Sequence, residues 1–236
     1  MSRPVERVEG FKRAAAERAF AMVEDGMRLG LGTGSTVAHF LNLLGEALES
    51  GSLRDIAGVP SSIRTGREAR AAGIPLVGLG DQPYLDLAVD GADEVTPELD
   101  LIKGMGGALL REKMVAQASR RFVIIADEGK AVEHLGTRSP LPVEVVDWGW
   151  QVHVPFLEGR GAEVTVRSLE DGPPFKSDNG NLILDCRFPD GIPDPGELDA
   201  ALRARAGVVE TGLFLGMADV AILAGPDGIR TVERRP

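Results

Sequence analysis

The chain is 236 residues long, enough for one large domain or for a domain that carries a smaller second lobe, and either could bury a sizeable apolar core. Its formal net charge of −10 argues against sequence-independent binding of nucleic acid, which needs clustered Lys and Arg to neutralise phosphates. Aromatics make up only 5% of the chain, so Val, Leu, Ile and Ala must fill the core, as they do in stacked α/β layers, and thirty glycines point to many tight connections.

The single cysteine, Cys186, has no partner for an internal disulfide and fits a reducing compartment; we expect it to be buried or indifferent. No apolar run approaches the roughly 18 to 20 residues of a membrane span. Residues Met1 to Gly10 are charged where a signal peptide is apolar. The expectation is a cytoplasmic protein without membrane association.

From Val8 to Val23, Val8, Phe11, Ala15, Ala19 and Met22 recur at helical spacing, and Asp25-Gly26 ends the helix. Met27 to Leu31 reads as a strand that enters Gly32-Thr33-Gly34-Ser35-Thr36, after which Val37, Phe40, Leu41, Leu44 and Leu48 mark a second helix. A strand follows near Ile56 to Val59, then a helix over about Arg64 to Ala72, and strands at Ile74 to Leu79 and Leu85 to Val89. A helix over Ala108 to Ser119 precedes the apolar strand Phe122 to Ala126. Alternating β and α elements of this kind favour a mostly parallel sheet covered on both faces.

Prolines accumulate after about Arg138, with strands at Val143 to Val146, Glu163 to Arg167 and Asn181 to Asp185 and helices at Val152 to Arg160 and Glu197 to Arg205. This set predicts a small α+β lobe of ferredoxin-like type. The runs Val208-Val209 and Val220 to Leu223 read as buried strands returning to the first sheet. The expected architecture is therefore a Rossmann-like, mostly parallel α/β domain over residues 1–138 and 206–236, with an inserted lobe over 139–205.

Two stretches carry the chemistry: the acid cluster Asp90-Gly91-Ala92-Asp93-Glu94 and the glycine run from Lys103 to Lys113. Asp90 and Asp93 follow an apolar strand, and the carboxyl ends of strands are where open α/β sheets bind ligands. Asp-Gly is also ordinary turn chemistry. Lys103, the amides of the run and Glu112 make a set suited to an enediolate, with donors for the oxyanion and a carboxylate for the carbon-bound proton. The plain alternative is a helix start with Arg111, Glu112 and Lys113 facing solvent.

The Gly32–Thr36 turn gathers backbone N–H groups at a helix N-terminus, with hydroxyls from Thr33, Ser35 and Thr36, and so suits a phosphate. It is neither a Walker motif nor the dinucleotide fingerprint, and a tight turn capped by Ser35 or Thr36 remains the alternative. Lys130, after another apolar strand, either adds positive charge to the same crevice or is a solvated loop lysine. The scattered His39, His134 and His153 give no metal set. Trp148 and Trp150, which flank Gly149, read as lobe packing rather than a sugar platform.

GLGTGST at Gly30 to Thr36, Ser61-Ser62 with Thr65, DGADE at Asp90 to Glu94, KGMGGALLREK at Lys103 to Lys113, FVIIADEGK at Phe122 to Lys130, LPVEVV at Leu141 to Val146 and SDNGN at Ser177 to Asn181 together resemble the type A ribose-5-phosphate isomerases. The blocks occur in the family's order over nearly the whole chain.

The resemblance implies interconversion of D-ribose 5-phosphate and D-ribulose 5-phosphate in the non-oxidative pentose phosphate pathway, with no metal and no organic cofactor. It implies that Glu112 shuttles a proton between C2 and C1 through a cis-enediolate. Asp90, Asp93 and Lys103 would handle ring opening, hydroxyl protons and the oxyanion. Substrate binding falls to Thr33, Gly34, Ser35, Thr36, Gly91, Ala92, Gly104, Met105, Gly106 and Lys130, with Lys12 as a phosphate contact. A homodimer or homotetramer is the family's habit.

One departure stands out: the family's lysine followed by four glycines here has Met105 at the second of them. A side chain there costs binding only where positive φ or close backbone approach is needed, and we expect it to point away. The rival classes are a sugar-phosphate sensor without catalysis, which would normally add a basic DNA-binding domain, and a coenzyme A transferase with a glutamate nucleophile.

Overall fold

The computed structural model describes residues 4–169 and 172–234. In chain order the elements are α1 (Pro4–Phe20), β1 (Arg28–Leu31), α2 (Ser35–Ser50), β2 (Ala57–Pro60), α3 (Ile63–Ala71), β3 (Leu87–Asp90), β4 (Glu94–Val95), β5 (Leu101–Ile102), α4 (Leu109–Gln117) and β6 (Phe122–Asp127). They continue with β7 (Leu141–Val145), α5 (Val154–Glu158), β8 (Glu163–Val166), β9 (Leu182–Arg187), α6 (Pro195–Arg203), β10 (Val208–Thr211), β11 (Leu213–Phe214), β12 (Val220–Gly225) and β13 (Gly228–Glu233). The described residues form two compact units: 4–92, 111–131 and 217–234 make the first, and 93–110, 132–169 and 172–216 the second.

The first unit is built on a six-stranded sheet in the order β13-β12-β6-β3-β1-β2, parallel throughout except for β13. Alternate strand residues Leu29, Leu31, Leu87, Val89, Val123, Ile125, Val220 and Ile222 join Ala15, Ala16 and Ala19 of α1 and Phe40, Leu41 and Leu44 of α2 in one buried core. Each such Leu or Ile contributes roughly 1.5–3 kcal/mol by leaving water. The intervening strand residues are small where α4 lies: a Cβ on Gly30 would sit 2.5 Å from Val115 Cγ1 and 2.7 Å from Ala88 Cβ.

From β1 the chain goes to β2 on one side, while β3 lies on the other. The carboxyl ends of β1 and β3 therefore flank a switch point, the place where such sheets open a crevice. α4 is oriented on this sheet by two contacts. Leu85 N, just ahead of β3, donates to Ala118 O at 2.8 Å, and Val115 lies against Gly30 in mid-strand. Its first turn, with Glu112, therefore lies toward the carboxyl ends.

The second unit holds β7, α5, β8, β9, α6 and β10, an antiparallel four-stranded sheet in the order β10-β7-β9-β8 with two helices, which is the ferredoxin-like βαββαβ arrangement. Its core gathers Leu141, Val143, Val145, Leu157, Leu182, Leu184, Cys186, Leu198 and Leu202. A second antiparallel sheet, β11-β5-β4, belongs to the same unit. Asp194 caps α6 by accepting from Glu197 N at 2.9 Å, with Pro195 in the first turn.

Three expectations are corrected. Val208–Thr211 does not return to the first sheet but completes the second, opposite Val145 and Val143 with a register shift, because an apolar run fixes burial and not the strand it pairs with. Residues 74–79 form no strand: Leu76 makes a single bridge to Gly58, Pro75 has no N–H, and Gly78 and Gly80 interrupt the run. Trp148 does not pack into the lobe but is 91% exposed, whereas Trp150 packs against the second core.

Candidate functional site

In the first unit β1 runs out into Gly32–Thr36 and β3 ends at Asp90, which is buried. Asp90 Oδ1 accepts from Thr33 N at 3.0 Å and from Gly91 N at 2.7 Å. Only glycine fits at position 32, since a Cβ there would lie 2.2 Å from Asp90 Cγ. The loop and the carboxylate are thus locked together by backbone.

Gly34, at φ +127°, is the N-cap of the 16-residue α2, and no side chain caps that helix. Neither Ser35 nor Thr36 therefore caps the helix, and its first turn carries no side-chain cap from the N-cap position. Ser35 is exposed and Thr36 buried. The Thr33 hydroxyl is engaged elsewhere: it donates to Ser62 Oγ at 2.9 Å, Ser62 Oγ donates to Thr65 Oγ1 at 2.9 Å, and Thr65 Oγ1 donates to Gly32 O at 2.8 Å. The relay returns to the loop it started from and braces its shape.

Glu112 is only 4% exposed and Lys113 1%, so the pair does not face solvent as the plain alternative held; Arg111 is half-buried. A charge kept this far from water is held by specific interactions rather than left on a helix surface for solubility. Lys130 closes the single turn Glu128–Lys130 after β6, the neighbour of β3, and is half-buried. Lys12 is ion-paired within its own helix, Nζ to Glu9 Oε1 at 2.6 Å, while His39 Nε2 lies 3.0 Å from Glu9 Oε2. These two hydrogen bonds, Lys12's first, hold the Glu9 carboxyl below its usual range.

In the second unit the hairpin β4–β5 carries Asp93 at one end and Lys103 at the other. Asp93 N donates to Ile102 O at 2.8 Å, and Lys103 N to Gly212 O at 2.9 Å. Lys103 is 2% exposed, and its Nζ lies 5.5 Å from the centre of the Phe214 ring. Asp93 Oδ2 accepts from Met105 N at 3.0 Å, which joins the second aspartate to the glycine run.

The run takes positive φ at Gly104 (+105°) and Gly107 (+79°) and not at Met105 or Gly106. Met105 is exposed and does not take positive φ, so its backbone conformation does not call for glycine. Among the described residues no group of three His, Cys, Asp or Glu side chains is arranged to hold a metal ion.

A family model described as ribose 5-phosphate isomerase A (phosphoriboisomerase A) matches residues 57–228. The chain belongs to that family. The ribose-5-phosphate isomerase A of Roseiflexus castenholzii is 53% identical over 223 residues, which cover 94% of this chain and 95% of that protein. That of Chloroflexus aurantiacus is 52% identical over 221 residues, 94% and 92% of the two.

A solved D-ribose-5-phosphate isomerase in complex with phospho-erythronic acid matches with a TM-score of 0.93 at 40% identity, over 96% of this chain and 99% of the other. Ribose 5-phosphate isomerase from Plasmodium falciparum matches with a TM-score of 0.93 at 36% identity, over 97% and 100%. The isomerase identified from the motifs stands, and nothing in these likenesses favours a non-catalytic sensor.

Sequence reasoning missed several residues around these motifs. Glu94, the third acid of its cluster, is fully buried and accepts three backbone N–H bonds, from Gly136 at 2.6 Å, Arg138 at 2.7 Å and Ser139 at 2.6 Å. It is an anchor for that loop. Lys113, which has a place only in the plain alternative and there faces solvent, is buried. Arg167, 62 residues beyond Met105, donates from Nη1 to Gly104 O at 2.9 Å and to Met105 O at 3.1 Å, and no local signal announces it.

Proposed function

We propose that this chain interconverts D-ribose 5-phosphate and D-ribulose 5-phosphate without a metal or organic cofactor, as a step of the non-oxidative pentose phosphate pathway. The observation that carries the reading is Glu112, a buried carboxylate in the first turn of α4, set toward the same strand ends as Asp90 and the Gly32–Thr36 loop. In the aldose-to-ketose direction Glu112 takes the proton from C2, the C1 carbonyl becomes the enediolate oxygen, and the same carboxyl returns the proton to C1.

The sugar must first open. Asp90, Asp93 and Lys103 move the hydroxyl protons and neutralise the oxyanion, Lys103 with the amides of Gly104 and Gly106, while the Met105 amide holds Asp93. Thr33, Gly34, Ser35 and Thr36 bind the substrate, the α2 N-terminus taking negative charge, and Gly91 and Ala92 carry the backbone past it. Lys130 adds a cation, and Lys12 does so once it exchanges Glu9 for phosphate.

The test is ribulose 5-phosphate formation by the purified protein after dialysis against EDTA, beside Glu112→Gln. Undiminished wild-type turnover and a variant kcat lower by about 10²–10⁴-fold with KM within a few-fold are expected. Equal losses in both constants would refute the role of Glu112. Sugar-phosphate binding without turnover in a folded wild type would overturn the isomerase reading.

We further take the protein to be cytoplasmic, to bind no nucleic acid and to act as a homodimer or homotetramer. The exposure of Trp148 (91%), Val152 (60%) and Val146 (36%) on the second unit supports self-association. Sedimentation velocity at micromolar concentration decides it, and a monomer there would count against the assembly.

A further inference from the structure

Arg167 follows β8 in the second unit and is held by Asp185 of β9. Its Nε lies 2.9 Å from Asp185 Oδ2, and its Nη2 bonds Asp185 Oδ1. The two side chains are 12% and 19% exposed. With two nitrogens fixed by the aspartate, Nη1 reaches the carbonyls of Gly104 and Met105 together, while Nη2 lies 3.8 Å from Met105 Sδ. Phe175, its ring centre 5.9 Å from the guanidinium carbon, covers the other end of the run, where a Cβ on Gly107 would fall 2.5 Å from the ring.

The consequence follows from peptide geometry. In a trans peptide the C=O of one residue and the N–H of the next point opposite ways. With the Gly104 and Met105 carbonyls turned to Arg167, the N–H groups of Met105 and Gly106 point to the opposite side. The Met105 N–H does so, since it donates to Asp93 Oδ2 at 3.0 Å. Two successive N–H groups on one side of the chain make a concavity of the kind that binds anionic oxygen.

We propose that Arg167, oriented by Asp185, is a positioning residue for the reaction: it fixes two peptide planes, one of which holds Asp93 through the Met105 N–H while the other presents the Gly106 N–H to the enediolate oxygen. This rests on the isomerase reading above. Lysine cannot replace it, because one ammonium lacks the planar fork that bonds two carboxylate oxygens and two carbonyls together. Small misplacements of donors around a reacting oxygen are costly, with 1 Å worth about 100-fold.

The experiment compares Arg167→Lys and Asp185→Asn with wild type in kcat, KM, melting temperature and affinity for phospho-erythronic acid, whose planar carboxylate stands in for the enediolate oxygens. The expected result is a kcat lower by about 10- to 100-fold in Arg167→Lys, a smaller loss in Asp185→Asn, KM within about threefold, and phospho-erythronate affinity falling in step with kcat. A kcat within twofold of wild type in both variants would overturn the proposal, as would a loss fully accounted for by a smaller folded fraction.

If wild type does not turn over ribose 5-phosphate, the isomerase reading fails, and the amide resonances of Met105 and Gly106 decide separately. A phospho-erythronate-induced shift in wild type that is lost in Arg167→Lys upholds the positioning role. No shift in wild type sinks it.

Discussion

Gly32–Thr36 and Gly104–Gly107 both lead from a strand into a helix, yet glycine serves them differently. In the first, Gly32 is required by closeness, because the Asp90 carboxyl fills the space a side chain would take, and Gly34 opens the helix at positive φ without a side-chain cap. The supports are hydroxyls and backbone: Thr33, Ser62 and Thr65 in a closed relay. In the second, Gly104 and Gly107 are required by conformation, and the loop is held from outside by charge, through Asp93 on its N–H side and Arg167 on its carbonyl side. A neutral brace fixes the first loop through neighbouring hydroxyls and backbone. A charged brace sets two peptide planes, at the cost of depending on residues far along the chain.

If closeness governs the first loop, Gly32→Ala should have the largest effect. Asp90 must move, its bonds to Thr33 and Gly91 must break, and kcat/KM should fall by about 100-fold or more, measured by steady-state turnover. Near-normal turnover would show that Asp90 need not stay where Thr33 holds it, and the contrast between the loops would collapse. Gly107→Ala tests the second loop by conformation. A left-handed alanine costs about 1–2 kcal/mol, and overlap with the Phe175 ring about 1–3 more. A urea-unfolding loss of about 2–5 kcal/mol is expected, and a loss near 1 kcal/mol, no more than the strain of the left-handed alanine, would mean that Phe175 yields freely.

The same contrast explains what the sequence disclosed. The parallel unit was legible because its signals are local: an apolar strand, a turn and a helix in succession, with glycines in the turn from β1 to α2 and serines in that from β2 to α3. Asp90 at a strand end and Glu112 in a first helical turn were legible for the same reason. Arg167, Asp185 and Lys113 were not, since a charged residue looks alike whether solvated or buried, and the carbonyls that Arg167 bonds lie 62 and 63 positions away. The β4–β5 hairpin has strands of two residues, too short for any periodicity, and so hid the structural duty of Glu94.

β13 escaped because an exposed edge strand has no apolar alternation. β10 was seen as a strand but assigned to the wrong sheet, since pairing is settled by register with Val143 and Val145 and not by its own composition. Cys186 needed no partner information: it is fully buried in β9, and burial first, then the charge of Asp185, pushes its thiol well above the usual range.

Met105 separates the two meanings of glycine within a single run. The residue has negative φ, its side chain is exposed, and its backbone N–H and C=O are both committed, to Asp93 and Arg167. Nothing at that position requires the absence of a Cβ, so a side chain is tolerated among glycines that are required on either side. Met105→Gly should therefore keep kcat and KM within about threefold, because the groups that orient the peptide are backbone atoms glycine retains. Its stability should fall by about 0.5–1 kcal/mol through the added freedom of the unfolded chain. A large gain in turnover would mean that the methionine obstructs the substrate, and the run would then need closeness as well as conformation. A large loss would mean that the Sδ contact with Arg167 helps hold the guanidinium in place, which would extend the charged brace to a third side chain.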